Sequence, residues 1–261
     1  MRALLEGRNA IVYGAGGGIG SAVARTFARD GAQVFLAGRT RETLEAVAKD
    51  IEAAGGTAHV TVVDALDEAT VDAHVDDVVT RAGSIDVSFN LISRGDVQGT
   101  PLVEMTVDDL LQAPLSGLRS NFLTARAAAR RMITQRSGVI LHLNSASGDA
   151  SMPGMGSTGP ADAAVESFMR YLAAEVGPSG VRVCGIWTAG VEETLAPDKL
   201  AEVDPDAPDP QTVIDMISGM AALRRTPQLA DVAETAAFLA SDRAAGITGS
   251  MTNVTAGLVL R

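Results

Sequence analysis

Short apolar runs alternate along this chain with longer segments whose apolar positions recur every three or four residues. The runs at 10–13, 33–37, 59–63, 86–91, 139–143, 181–186 and 251–254 predict strands. The segments at 20–30, 41–54, 68–82, 118–135, 161–176 and 232–240 predict helices, and Gly55-Gly56 and Gly83 stand where two of them should stop. Strand and helix alternating at this spacing imply parallel strands with helices covering both faces. Right-handed crossovers then favour a doubly wound arrangement. The expected fold class is therefore α/β: a single-domain Rossmann fold with a doubly wound, seven-stranded parallel sheet flanked by helices. Pro114 and Gly117, just ahead of the helix at 118–135, are expected to break or kink it.

One compositional break interrupts the pattern. Residues 192–210 are rich in Asp, Glu and Pro, too short and polar for a domain. The stretch 191–225 is expected to be a mobile substrate loop inserted within one domain spanning 1–261.

Charge and composition narrow the function classes. With 46% hydrophobic residues the chain can bury a sizeable core, and its net charge of −11 argues against a nucleic-acid partner. No run of about 18 apolar residues is free of charge, so no membrane span is expected, and the N-terminus does not read as a signal peptide. Cys184 is the only cysteine, so no internal disulfide can form, which fits a cytoplasmic protein. His59 and His74 lack partners at metal-ligand spacing, so no metal site is expected. His142 should face away from Ser145 on the same strand and read as a buried core histidine.

The chemistry begins at the first predicted strand–helix junction. Gly14, Gly16, Gly18 and Gly20, with Ile19, form the loop GAGGGIG. Glycines there let the backbone turn sharply and approach a pyrophosphate, while the next helix offers free N–H groups and a positive dipole end. At the end of the second strand, the acidic residue that would hold NAD ribose hydroxyls is absent, and Ala37-Gly38-Arg39-Thr40 stands in its place. Arg39 could meet a 2′-phosphate, which favours NADP over NAD, or could stack on adenine or cap the next helix.

These segments resemble the short-chain dehydrogenase/reductase family over nearly the whole chain. GAGGGIG resembles that family's TGxxxGIG loop, with Tyr13 where Thr is usual. Asp64 in VVDALDEA matches the aspartate that contacts adenine, and Asn90 in NLIS matches the first Asn of NNAG. The stretch LRRTPQLADVAETAAFLASDRAAGITG is similar to the family's C-terminal helix and the approach to its last strand. The resemblance implies an NAD(P)-dependent oxidoreductase acting on a small molecule, assembled as a homodimer or homotetramer through the helices at 118–135 and 161–176. It also implies that the loop after the sixth strand, here Trp187-Thr188-Ala189-Gly190 instead of a Pro-Gly pair, borders the nicotinamide, with Thr188 as a contact.

The catalytic positions depart from the family. Ser145 matches its serine. The YxxxK tyrosine and lysine fall on Thr158 and Asp162, and Gly117 stands where its asparagine should be. No slipped register supplies a replacement, because neither Tyr13 nor Tyr171 has Lys four residues on. The tyrosine gives or takes the substrate proton, and the lysine lowers its pKa. Thr is a far weaker acid, and an aspartate carries the opposite charge, so ordinary alcohol–carbonyl interconversion is expected to be barely measurable. Asp162 could still accept hydrogen bonds from ribose hydroxyls, or favour an iminium substrate. Ser145 reads either as a substrate contact or as a strand-end hydrogen bond. The residues thus leave open an altered NADP(H)-dependent oxidoreductase, a non-redox lyase, isomerase or cyclase on the same scaffold, and a non-catalytic NADP-binding protein.

Overall fold

A computed structural model of the chain describes residues 3–260. In chain order it runs β1 (Asn9–Tyr13), α1 (Gly18–Arg29), β2 (Gln33–Gly38), α2 (Arg41–Ala53), β3 (Thr57–Val62), α3 (Glu68–Ala82) and β4 (Val87–Asn90). There follow α4 (Val107–Gln135), β5 (Gly138–Ser145), α5 (Thr158–Val176), β6 (Val181–Thr188), α6 (Pro197–Val203), α7 (Pro210–Met220), α8 (Leu229–Ala240) and β7 (Ser250–Val254). The strands form one sheet in the order β3-β2-β1-β4-β5-β6-β7, and every neighbouring pair is parallel.

Strand alternation divides the core between the two faces. Val12, Leu36, Leu141 and Cys184 pack with Phe27 of α1 and Val232 of α8. Their chain neighbours Ile11, Phe35, Ile140 and Val183 pack on the other face with Val75 of α3 and Val165 of α5. Strands buried on both sides need continuous apolar runs, which is why the pattern betrayed them. Local signals fix the helix ends. Asp67 caps α3 by accepting from the Ala69 and Thr70 amides (2.8 and 3.2 Å), and Gly83 ends it in the left-handed region at φ 82°.

Two elements differ from the sequence expectation. First, α4 begins at Val107, and Pro114 and Gly117 lie inside it. Thr106 caps its first turn by accepting from the Asp109 amide, and Asp108 and Asp109 sit at the positive end of its dipole. These start signals, with burial of Ala113, Gly117, Ser120 and Asn121, carry the helix through both residues. Second, the 191–225 stretch holds two helices. Its prolines and acids are helix-start signals: Pro197 and Pro210 lie at first-turn positions, and Asp209 caps α7 by accepting from the Thr212 amide. Among the described residues no helix is long and apolar enough to cross a membrane.

Candidate active site

The strand order reverses between β1 and β4, and a cleft of about 570 Å³ opens there at the carboxyl ends of the strands. Gly14, Gly16 and Gly18 line it, with Arg39 and Asp64 at the far side and Leu91, Ile92 and Ser93 beneath. Gly14 takes φ 78°, and a Cβ on Gly20 would come within 2.1 Å of the Gly14 carbonyl oxygen, so α1 can pack this close to the strand only with glycine there. No side chain caps the first turn of α1, and no acidic residue lies in it. That leaves an N-terminus suited to a phosphate. Arg39 is exposed, with no ion-pair partner among the described residues. Asp64 accepts from the Leu66 amide through Oδ1 (3.0 Å).

Asn90 has a different job. Its side chain is buried, donates to Thr124 Oγ1 (3.2 Å) and accepts from the Ile92 amide (3.1 Å). It clamps the end of β4 to α4 and so shapes the loop beneath the cleft, without lining it.

Beside this cleft lies a second cavity of about 630 Å³, and Ser145, Thr188 and Gln98 are among its lining residues. Ser145 and Thr188 are register partners at the ends of β5 and β6. Thr188 is nearly fully buried, and its hydroxyl has no hydrogen-bond partner. Lys199 of α6 lines both cavities, so the two adjoin there.

Behind Ser145 stands a charged cluster that the sequence did not disclose. Ser145 Oγ donates to Asp162 Oδ2 at 2.5 Å, and the side chain of Asp162 is 0% exposed. Arg94 Nη1 donates to Asp162 Oδ1 at 2.7 Å, and its Nη2 lies 2.8 Å from Asp96 Oδ1. Arg94 comes from the loop after β4, where NLISRG departs from the NNAG pattern. That loop is held in place by reciprocal bonds between Ser157 Oγ and the Val97 backbone (2.7 and 2.8 Å) and by the Ser116 hydroxyl donating to the Arg94 carbonyl. The room for Arg94 comes from Gly117: a Cβ there would sit 2.7 Å from Arg94 Cδ. The two departures from the family are thus linked in space, because the methylene stem of Arg94 fills the gap left at 117 while its guanidinium opposes the carboxylate at 162.

The electrostatics follow from counting charges. With Asp162 ionised the cluster holds two anions and one cation; with a proton on Asp162 it is neutral. Burial therefore pushes the Asp162 carboxyl up to about 6, and the opposing pull of Arg94 and Ser145 does not cancel the shift. Burial works against the charge on Arg94, but Asp96 and Asp162 outweigh it and hold the guanidinium above its ordinary value.

Of the three catalytic candidates, Ser145 alone lines the cavity. Asp162 lies directly behind it, sealed from solvent, and does not face the nucleotide cleft, so the expected contact with ribose hydroxyls is not what this geometry provides. Its charge is opposed by Arg94, which also removes the basis for attracting an iminium ion. Thr158 is buried and accepts from Gln98 Nε2 at 3.2 Å, so Gln98 covers it from the cavity. Asn121 bonds back to the Gly117 carbonyl within α4 and does not replace the missing asparagine. His142 lines a separate cavity with Glu166 and Trp187, away from Ser145. Arg94 and Gln98 are the residues that sequence reasoning missed. Arg94 directly follows the Asn90–Ser93 stretch, and no spacing along the chain marked it.

Strand order and cleft define a Rossmann-like α/β domain. The family model described as enoyl-(acyl carrier protein) reductase matches residues 14–259. The oxidoreductase UcpA of Escherichia coli (strain K12) is 30% identical over 257 residues, covering 98% of this chain and 96% of the relative. The 3-oxoacyl-[acyl-carrier-protein] reductase FabG of Staphylococcus aureus (strain N315) is 31% identical over 258 residues, covering 97% and 98%. Among solved structures, NAD+-bound xylitol dehydrogenase superposes with TM-score 0.87 at 27% identity, covering 97% of this chain and 99% of the other. A 7α-hydroxysteroid dehydrogenase in complex with NADH superposes with TM-score 0.85 at 26% identity, covering 98% and 96%. The chain belongs to the short-chain dehydrogenase/reductase family and is an oxidoreductase of that family.

Proposed function

We propose that this protein is an NADP(H)-dependent oxidoreductase of a small molecule in which Ser145 and Asp162 together handle the substrate proton. The observation that carries the reading is the 2.5 Å hydrogen bond between Ser145, in the cavity wall, and a sealed carboxyl whose hold on a proton is strengthened by burial.

The residues of the cleft fit a dinucleotide phosphate. The Gly14–Gly20 loop and the open start of α1 suit the pyrophosphate. Asp64 suits the adenine, and the unpaired Arg39 suits a 2′-phosphate. No acidic residue stands in Ala37-Gly38-Arg39-Thr40 at the end of β2 to claim ribose hydroxyls, which supports NADP, although the two superposed dehydrogenases carry NAD+ and NADH. Thr188, at the end of β6, suits the nicotinamide contact that the family resemblance implies. The bound dinucleotide supplies the hydride in reduction and takes it in oxidation.

The chain's own part is proton supply. With Asp162 protonated the direction of its bond to Ser145 reverses: the carboxyl donates to Ser145 Oγ, and Ser145 Oγ–H turns to donate to the substrate carbonyl oxygen. As that oxygen gains negative charge it takes the serine proton, Ser145 takes the Asp162 proton, and the carboxylate left behind is opposed by Arg94. Oxidation runs the same transfers backwards. The expectation of barely measurable carbonyl reduction rested on Thr158 as a poor acid, on the charge of Asp162 and on Gly117 in place of the asparagine; Arg94 bears on the second of these alone. Arg94 touches neither substrate nor dinucleotide, so it is a positioning residue. Thr158 acts through Gln98 in the same sense.

The exposed apolar side chains Leu115, Leu118 and Phe122 on α4 support assembly as a homodimer or homotetramer with closed symmetry. Phe122 also packs against Phe168 of α5, so the two helices present one surface.

The test is calorimetry with NADPH and NADH, followed by a panel of ketones and aldehydes read by NADPH oxidation in the native protein and in Ser145→Ala. Tighter binding of NADPH, with turnover lost in Ser145→Ala, is expected. Binding of neither dinucleotide at millimolar concentration, or turnover untouched by the serine change, would overturn the reading.

A further inference from the structure

The helix α7 is amphipathic, yet none of its residues is buried. Val213, Met216, Ile217 and Met220 recur at i, i+3, i+4 and i+7, the spacing of one helix face, and all four line the cavity above Ser145. Such a stripe ordinarily packs against protein. Here it faces open space of about 630 Å³, a volume suited to a drug-sized molecule. The opposite wall is of the same kind, with Met152 and Met155 among its residues. Four of the chain's nine methionines thus meet at one cavity. Methionine is unbranched and polarizable, and it moulds to irregular apolar shapes. Of the polar side chains in its lining, Gln98 and Thr194 donate within the protein, and Ser145 and Thr188 stand as register partners at the ends of β5 and β6. The one charged lining residue, Lys199, is paired with Glu202 at 2.5 Å.

We infer that the cavity takes a bulky, neutral, apolar molecule bearing one hydrogen-bonding oxygen at its inner end, and that this molecule completes the packing of α7. The inference rests on the oxidoreductase reading for what happens at that oxygen, but not for binding itself. A charged or many-hydroxyl substrate would leave its polar groups unpaired against methionine and aliphatic walls, which disfavours it. Ile217 already packs on Gly190, and such a molecule would cover the rest of the apolar face of α7.

Nile red, a neutral polycyclic carbonyl compound that brightens in apolar surroundings, is a suitable probe. One equivalent should bind the native protein with micromolar affinity. Met216→Glu and Ile217→Glu should each weaken it by about tenfold or more, since each sets a charge in the cavity wall. Neither residue is buried, so thermal midpoint and NADPH affinity should stay as in the native protein. Protease digestion within 195–220 should slow when Nile red is bound. Failure of Nile red to bind, equal binding by both variants, or a change of oligomeric state in the variants that shows α7 covering another copy, would each overturn the inference. The two readings fail separately. NADPH-dependent turnover of polyols alone sinks this inference and leaves the oxidoreductase standing; Nile red binding without any dinucleotide binding does the reverse.

Discussion

Arg94 and Asp162 lie 68 positions apart in the chain and meet at 2.7 Å, with the carboxylate fully buried and the guanidinium 13% exposed. The pair places a cation beside the position where the family carries its lysine, but on a different element and with the polarity of the site reversed. Removing the cation should therefore unmask the carboxylate. A buried charge stripped of its partner costs about 3–5 kcal/mol, but Asp162 can escape part of that loss by binding a proton. Its native-state pKa is already raised, so the stability it contributes is present at low pH and is lost as pH rises through about 6. Arg94→Met should raise that pKa further. The destabilisation measured by urea unfolding should then be small at pH 5 and several times larger at pH 8. Arg94→Lys, which keeps the charge but not the fork that spans two carboxylates, should recover part of the loss. Equal destabilisation at both pH values would mean that Asp162 does not titrate in this range.

Gly117 and Arg94 should be coupled. Alanine in a helix interior ordinarily gains about 1 kcal/mol over glycine. At this position its Cβ would meet Arg94 Cδ at 2.7 Å, and overpacking costs about 1–3 kcal/mol. Gly117→Ala should therefore be neutral or destabilising in the native background. In Arg94→Ala the obstacle is gone, and the same change should stabilise by about 1 kcal/mol. Thermal unfolding of the four proteins in this cycle checks the sign reversal; additive effects would show that the two residues do not share space.

The sequence carried the parts of this molecule that depend on local pattern. Seven apolar runs marked the seven strands because both faces of the sheet are covered, and the glycine loop was legible because a close turn before α1 admits little else. The helices α6 and α7 were not legible, since Pro197, Asp209 and Pro210 start a helix as readily as they mark a loop. The early start of α4 was hidden for a similar reason: Pro114 and Gly117 argue against helix locally, while the Thr106 cap and tertiary burial decide for it. Asp162 and Gly117 were each recognised as departures from the family, but their meaning depended on Arg94. Its contact with both is tertiary, and no spacing along the chain announces it.

Arg39 should discriminate between the two dinucleotides. A hydrogen bond to a charged group contributes about 1.5–3 kcal/mol, so Arg39→Ala should weaken NADPH binding by roughly ten- to a hundredfold while leaving NADH affinity little changed. Isothermal titration of both ligands against both proteins reads this directly. An equal loss for NADH would assign Arg39 to stacking on adenine instead of to the 2′-phosphate.

The direction of catalysis should depend on pH with opposite signs. Reduction needs a proton on Asp162, so its rate should fall as pH rises through about 6; oxidation needs the carboxylate, so its rate should rise over the same range. Asp162→Asn should flatten both limbs and lower the rate by about 10²–10⁴, the usual contribution of a positioned acid or base. A profile unchanged in Asp162→Asn would place the proton donor elsewhere.

The most direct measurement needs no substrate. The carbonyl stretch of a protonated carboxylic acid is resolved from that of a carboxylate in the infrared, and subtraction of the Asp162→Asn spectrum isolates the one residue. The account predicts a buried acid band that disappears as pH rises, with a midpoint near 6 in the native protein and a higher midpoint in Arg94→Met. A carboxylate that stays ionised down to pH 4 in the native protein, unmoved by loss of Arg94, would contradict the claim that Ser145 and Asp162 carry the proton.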